Sequence, residues 1–325
     1  MKITDHAINV LAAKTYRGIG RAWIVRNLSG NETANRIVAL LNEGAKHEQP
    51  ITEGDFENAR ALIAATIKKQ APFSDGAIAI GDVGFPPHRG NVKNSDQPVV
   101  LFYCGDLRLL SKSSRNIAVI GLTTPDKKTE EVESEMVAKL VNYEATIVSG
   151  LALGCDAVAH RQALRSNGKT VAVLPSPLNA ILPFENRNLA HEIASNGGLL
   201  ITEYYDEPNS KRELGGRYQE RDRLQALYSD CVILAASYAK NDIGLDSGAR
   251  LAMEYAKSYS IRRAVMYDNA RDAENPKYGL NRQLIREQDG ILVINPENMA
   301  SILIDLARAQ SQPSPHPVGQ ADLFR

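Results

Sequence analysis

The 325-residue chain has no surplus of either charge: 38 Lys and Arg meet 38 Asp and Glu, a net charge of zero at pH 7. So balanced a chain cannot be held on nucleic acid by bulk positive charge, and any such contact must be local. Cysteine is scarce. Cys104, Cys155 and Cys231 lie far apart with no CxxC pair, which argues against a disulfide framework or a zinc site and fits a reducing compartment. Aromatic residues make up only 6%, with a single tryptophan, Trp23, too few for a long base-stacking platform. The longest apolar run, Cys231 to Ala236, is far short of the roughly 18–20 residues of a membrane span. Met1 to Val10 lacks the apolar core of a signal peptide, so the expectation is a soluble cytoplasmic protein with no membrane partner.

What the chain does have is alternation. Short β-branched runs predict strands at Ile117–Ile120, Thr146–Ser149, Thr170–Leu174, Leu199–Thr202, Cys231–Ala235, Ala264–Tyr267 and Ile291–Ile294, led in by Val99–Tyr103. Amphipathic patterns predict helices between them at Glu130–Tyr143, Asp156–Ser166, Glu185–Ser195, Arg217–Tyr228, Ser247–Tyr259, Leu280–Glu287 and Asn298–Ala309. The fold class is therefore α/β, a doubly wound, mostly parallel Rossmann-like sheet over residues 99–308. Residues 1–70 show helical periodicity and no strand pattern, predicting a small all-helical domain with helices at Ala7–Lys14, Ala22–Leu28, Thr33–Leu41 and Asp55–Lys69. The Gly-, Pro-, Asp- and Asn-rich stretch 71–98 reads as a connector, and the Ser-, Gln- and Pro-rich stretch 309–325 as an extended tail.

The stretch Ser149–His160, SGLALGCDAVAH, joins a strand end to a helix start. Gly150 and Gly154 allow a tight turn, and the N–H groups from Leu151 and Ala152 to Cys155 would then face outward at a helix N-terminus, as a phosphate cradle does. A tight βα connection without a ligand is the other reading. GK[ST] is missing and the spacing is not GxGxxG, so nucleotide hydrolysis and dinucleotide binding lose ground and no cofactor is expected. Asp156 and His160, at i and i+4, are either an acid–base pair or a capping carboxylate and a histidine packed on the next strand. With no nucleophile in the stretch, they do not argue for catalysis by themselves.

Near the N-terminus Lys14, Arg17, Arg21 and Arg26 accumulate with no acidic residue between His6 and Asn31, centred on Arg17-Gly18-Ile19-Gly20. The pattern is similar to a helix-hairpin-helix, whose hairpin N–H groups and cations (Arg17, Gly18, Gly20 and Arg21) would hold DNA phosphates without reading sequence. An ordinary helical turn with surface basics is the alternative.

Taken in order, SGLALGCDAVAHRQAL (149–164), GKTVAVLPSPLNAILPFENRNLAHEIASNGGLLITEY (168–204), YQERDR (218–223) and ARLAMEYA (249–256) resemble the DprA/Smf family of DNA-processing proteins over about residues 80–295. The resemblance implies a Rossmann-like, non-enzymatic protein that binds single-stranded DNA, forms a homodimer and loads the RecA recombinase. Contacts to DNA phosphate are then expected at Ser149, Gly150, Leu151, Ala152, Gly154, Arg221, Arg223, Gly244, Ser247 and Gly248, with Lys169 added from its place beside Gly168. Arg221 and Arg223 lead because a guanidinium gives forked hydrogen bonds to phosphate.

The departures are local. The family's GSR stands here as Gly121-Leu122-Thr123, and FPxRNR as Tyr218-Gln219-Glu220-Arg221-Asp222-Arg223, with Asp in place of Asn. The family's SGSxxTA aligns with Ile243 to Ala249 and retains Gly244 and Ala249. Losing a cation and gaining carboxylates leaves room for the alternative, a nucleotide sensor or nucleotide-hydrolysing enzyme of a related fold. At the other end, Gln320-Ala321-Asp322-Leu323-Phe324 resembles the bacterial sliding-clamp-binding peptide, with Leu323 and Phe324 as groove anchors.

Overall fold

The structure is a computed structural model that describes residues 1–44, 49–240, 248–287 and 289–308. Lys2–Ile3 (β1) leads into four helices, Asp5–Lys14 (α1), Arg21–Asn27 (α2), Ala34–Gly44 (α3) and Glu53–Ile67 (α4). Gly76–Ala79 (β2) and Val100–Gly105 (β3) follow, and then strands and helices alternate. They are Asn116–Ile120 (β4), Lys127–Asn142 (α5), Thr146–Ser149 (β5), Cys155–Arg165 (α6), Thr170–Val173 (β6), Arg187–Ser195 (α7), Leu199–Thr202 (β7) and Lys211–Leu227 (α8). The chain continues through Cys231–Leu234 (β8), Ala249–Ser258 (α9), Arg262–Met266 (β9), Asn269–Asp272 (α10), Gly279–Arg286 (α11), Ile291–Ile294 (β10) and Met299–Arg308 (α12).

Among the described residues the strands form one sheet in the order β1-β2-β3-β7-β6-β5-β4-β8-β9-β10. Every neighbouring pair from β7 across to β10 is parallel, whereas β3 runs antiparallel to both β7 and β2. Strands β4, β5, β6 and β8 are buried along their whole length, as their unbroken apolar runs require when helices cover both faces. Strand β4 has β5 on one side and β8 on the other. The connections therefore diverge at its carboxyl end and open a crevice there, the position where doubly wound sheets hold ligands.

Three local expectations need correction. β1 lies within the stretch expected to be all-helical, and β2 within the expected connector. Two residues are too few to show alternation, and Gly-Ala-Ile-Ala offers a single β-branched side chain between turn formers, so neither strand could be seen by pattern. Helix α8 begins at Lys211 rather than Arg217, because Ser210 caps the N–H of Glu213 and offsets the mid-helix pair Gly215-Gly216.

The N-terminal helices do not float free of the sheet. Val10, Ile37, Leu41 and Phe56 share one buried cluster with Phe102 of β3 and Ile193 of α7. The stretch 71–98 is also anchored. Buried Arg89 reaches the carbonyls of Leu110 (3.1 Å), Ser111 (2.8 Å) and Ser114 (2.7 Å) and pairs with Asp230 at 3.3 Å. Arg89→Ala removes one group that reaches all four acceptors at once, and is expected to cost about 3 kcal/mol in urea unfolding. A change below about 0.5 kcal/mol would show that this anchor is idle.

Candidate functional site

The turn after β5 is shaped by side chains that fold onto it rather than by an open backbone. Ser149 is fully buried and donates from Oγ to the Val119 carbonyl at 2.7 Å, so its hydroxyl ties β5 to β4. Oδ2 of Asp156 accepts from the N–H of Gly150 (3.1 Å) and of Ala152 (3.2 Å), and the Cys155 N–H goes to the Leu122 carbonyl (2.9 Å). The N–H groups expected to face outward around a phosphate are thus partly occupied from within, because an acidic residue in the first turn of α6 folds back on them. Leu151 and Gly154 both adopt positive φ, 60° and 71°. Any side chain at Gly154 would also overlap the Leu122 carbonyl, so glycine is required there.

Gly150 has a different task. Arg221, from α8, lays its guanidinium directly on the Gly150 backbone, where a Cβ would overlap Nη1. From there Nη1 lies 3.5 Å from Asp156 and Nε 3.1 Å from Asp222. The three charged groups line a cavity of about 480 Å³ at the carboxyl ends of β4, β5 and β8, walled by Gly121 to Thr124, Ala152, Gln225, Tyr238, Gly248, Ala249 and Ala252. Gly248 lies against Asp222, where a Cβ would stand 2.5 Å from Oδ2. Burial pushes the Asp222 carboxyl up to about 7, helped by Asp156 and opposed by Arg221. The Nε2 of Gln225 donates to Asp222 Oδ1 at 3.0 Å, and its buried Oε1 meets no partner among the described residues.

Asp156 and His160 do not pair. His160 is fully buried, with Nδ1 at 2.7 Å from Thr170 Oγ1 on the next strand, and burial together with Arg221 holds it down to about 3, so it stays neutral. Behind the turn, burial raises the carboxyl of Glu133 and the thiol of Cys155 well above their ordinary values. Burial thus favours the uncharged form of both, which disfavours the thiolate a nucleophilic cysteine needs.

The other expected contacts scatter. Arg223 does not face the cavity: it is buried, paired with Glu203 and donating to the Asp96 carbonyl. Lys169 lies at the amino end of β6, opposite the cavity, where its Nζ donates to the Asn196 carbonyl at 2.8 Å. The hairpin between α1 and α2 forms, with Arg17 and Gly20 exposed and Gly18 at φ 91°. Its Arg21, however, turns inward to Glu220 (2.7 Å) and Glu203 (3.5 Å), so Glu203 gathers Arg21 and Arg223 into one ion-paired group. Gly244, Ser247, Gln320, Asp322, Leu323 and Phe324 lie outside the described residues.

A second group beside the turn was invisible in the pattern. Asn186, in the short turn of helix before α7, donates from Nδ2 to the carbonyls of Leu151 (2.9 Å) and Ala152 (3.0 Å), fixing Phe184 next to the turn. Phe184 is 67% exposed, and the Arg187 guanidinium stands 4.5 Å from its ring centroid. Leu153 is 42% exposed, and Arg161 donates to Asn186 Oδ1 at 3.3 Å. In the sequence, Phe184 looks like one more apolar residue at a helix start; only its exposure marks it.

A family model described as DNA recombination-mediator protein A matches residues 76–303. Protein Smf of Synechocystis is 31% identical over 232 residues, which cover 69% of this chain and 55% of that protein. The DNA processing protein DprA of Streptococcus pneumoniae is 39% identical over 208 residues, 63% of this chain and 69% of that one. The chain spans about half the length of several of the curated relatives it matches. The X-ray structure of the S. pneumoniae protein superposes with a TM-score of 0.69 at 23% identity, covering 93% of this chain and 98% of that one. That likeness concerns the fold. A Helicobacter pylori DNA processing protein A, described by its single-stranded DNA binding mode, superposes with a TM-score of 0.52 at 29% identity over 64% of this chain and 87% of that one.

Glu133 supplies a test of the buried electrostatics around the turn. Its two carboxyl oxygens are buried without a hydrogen-bond partner among the described residues. The folded chain holds a proton that the unfolded chain releases above about pH 4.3, so stability falls as pH rises from there toward the raised folded value. Glu133→Met should raise stability by about 1–3 kcal/mol at pH 8 and by less at pH 5, read by urea unfolding. Equal changes at both pH values would mean that Glu133 does not titrate as described.

Proposed function

The chain belongs to the DNA recombination-mediator protein A family, and from that premise we propose that it binds single-stranded DNA in recombination, repair, DNA uptake or defence against foreign DNA. The observation that carries this reading is the pairing of a cation and an exposed aromatic around one turn. Arg221 lies on Gly150 inside the strand-end cavity, and Phe184 with Arg187 flanks the same turn from outside. A single strand needs both: guanidinium groups for its phosphates and an aromatic face on which a base can stack. The aromatic poverty of the chain is no obstacle, since one well-placed ring serves one nucleotide.

The same reading assigns Arg17, Gly18 and Gly20 of the hairpin to sequence-independent phosphate contact, and Arg21 and Arg223 to holding the hairpin on the core. It extends to a homodimer that hands single strands to a RecA recombinase, with Gln320, Asp322, Leu323 and Phe324 as a tether to the sliding clamp. These partners follow from the resemblances of the motifs and of the terminal peptide. The domain limits follow the same logic, with residues 1–70 as the hairpin-bearing unit and 99–308 as the Rossmann-like one.

Fluorescence anisotropy of a labelled oligo-dT at low salt tests the reading. Arg221→Ala is expected to weaken binding about 10- to 100-fold, and Phe184→Ala about 5- to 100-fold, the range of one lost stacking contact. Lys169→Ala should leave affinity within about twofold, and added salt should weaken the wild type steeply. Retained affinity in Arg221→Ala would remove the cavity from the interface. For the tether, Leu323→Ala/Phe324→Ala should abolish pull-down by the sliding clamp, and undiminished pull-down would dismiss it.

A further inference from the structure

The strand-end cavity presents one cation and two carboxylates. With Asp156 and Asp222 both ionised, its charged side chains among the described residues sum to −1, a poor receiver for a phosphodiester. Neutralising one carboxyl restores balance, and the two are not equivalent. Asp156 is held by two backbone N–H groups besides Arg221. Among the described residues Asp222 meets no backbone donor. Its Oδ1 accepts from the Gln225 amide and lies 3.1 Å from Arg221 Nε as an ion pair, while its Oδ2 faces the Gly248 backbone.

We propose that Asp222 makes ligand binding at this cavity proton-linked: an anionic ligand enters as Asp222 takes up one proton, which leaves Arg221 opposed by Asp156 alone. The inference rests on the single-stranded DNA reading and adds a specificity-determining residue to it. Protonated, the carboxyl has the shape of the asparagine amide it replaces in the family motif and becomes a hydrogen-bond donor. The unpartnered Oε1 of Gln225, on the same cavity wall, supplies an acceptor for that proton or for a donor on the ligand.

Among the described residues, five side chains face Asp222. Arg221 and Gln225 lie on its own helix, Asp156 comes from α6, Tyr255 from α9, and Tyr238 follows β8. His160, next to Arg221, is neutral across the working range, being held down to about 3. The carboxyl titrates where the effect is needed, at about 7, because burial and Asp156 outweigh Arg221.

The experiment measures affinity from pH 5.5 to 9 at constant ionic strength for the full chain and for Asp222→Asn. Its probes are fluorescein-labelled oligo-dT, read by anisotropy, and free thymidine monophosphate, read by calorimetry. For the wild type, affinity for either probe should fall by about 10-fold per pH unit above pH 7 and level off below pH 6, the signature of one linked proton. Asp222→Asn should lose that dependence with oligo-dT, whose phosphodiesters do not titrate in this range; with thymidine monophosphate the slope left near pH 6 is that of the probe's own second phosphate proton, common to both proteins. If both proteins show the same slope with oligo-dT, the proposal is overturned and the DNA reading stands. If thymidine monophosphate shows the predicted difference while oligo-dT binds neither protein at any pH, the proposal stands and the DNA reading falls. Binding of neither probe at any pH overturns both.

Discussion

Arg221 lying on Gly150 is the contact from which the site is built. It demands a residue without a side chain at the end of β5, a helix from across the sheet to deliver the guanidinium, and carboxylates to offset a charge taken out of water. Asp156 meets the last need and also satisfies two N–H groups of the turn. One carboxylate thereby fixes both the loop and the cation. The crevice opened by divergence at β4 supplies the space, so fold topology and local charge meet at one point.

A second buried carboxylate, Glu203, does for the N-terminal helices what Asp156 does for the turn. It follows β7 and receives Arg223 from α8 and Arg21 from the hairpin-bearing segment. Arginines that look equivalent in the motif therefore divide their work by position. Arg221, five residues past Gly216, reaches the cavity; Arg223, two further on, points to the other side of α8 and is fully enclosed. Residues two apart on a helix do not share a face, so only one of this pair can serve a given ligand.

The strands and most helices were legible because buried parallel strands read as unbroken β-branched runs and amphipathic helices as a period near 3.6. β5 and β7 were predicted to the residue, whereas β1 and β2 were missed for want of length and of branched side chains. Site chemistry was less legible. That Gly150 and Gly154 make a tight turn follows from their type and place, but whether its N–H groups stay open depends on the direction taken by Asp156, which no spacing encodes. The exposure of Phe184 and the inward turn of Arg21 are likewise products of packing. Balanced charge was informative in one respect: 38 of each sign gives no bulk attraction to nucleic acid, and cations are met by carboxylates in pairs such as Arg221 with Asp156 and Arg21 with Glu220.

The proposed interface requires a single strand of DNA to meet the protein at the turn after β5. Photo-crosslinking with a 4-thiothymidine-substituted oligo-dT, followed by mass-spectrometric mapping of the linked peptides, examines this without any substitution. Crosslinks are expected to concentrate in peptides carrying residues 150–153 and 184–187. Crosslinks confined to the opposite end of the sheet, around Lys169 and Asn196, with none at the turn, would contradict it.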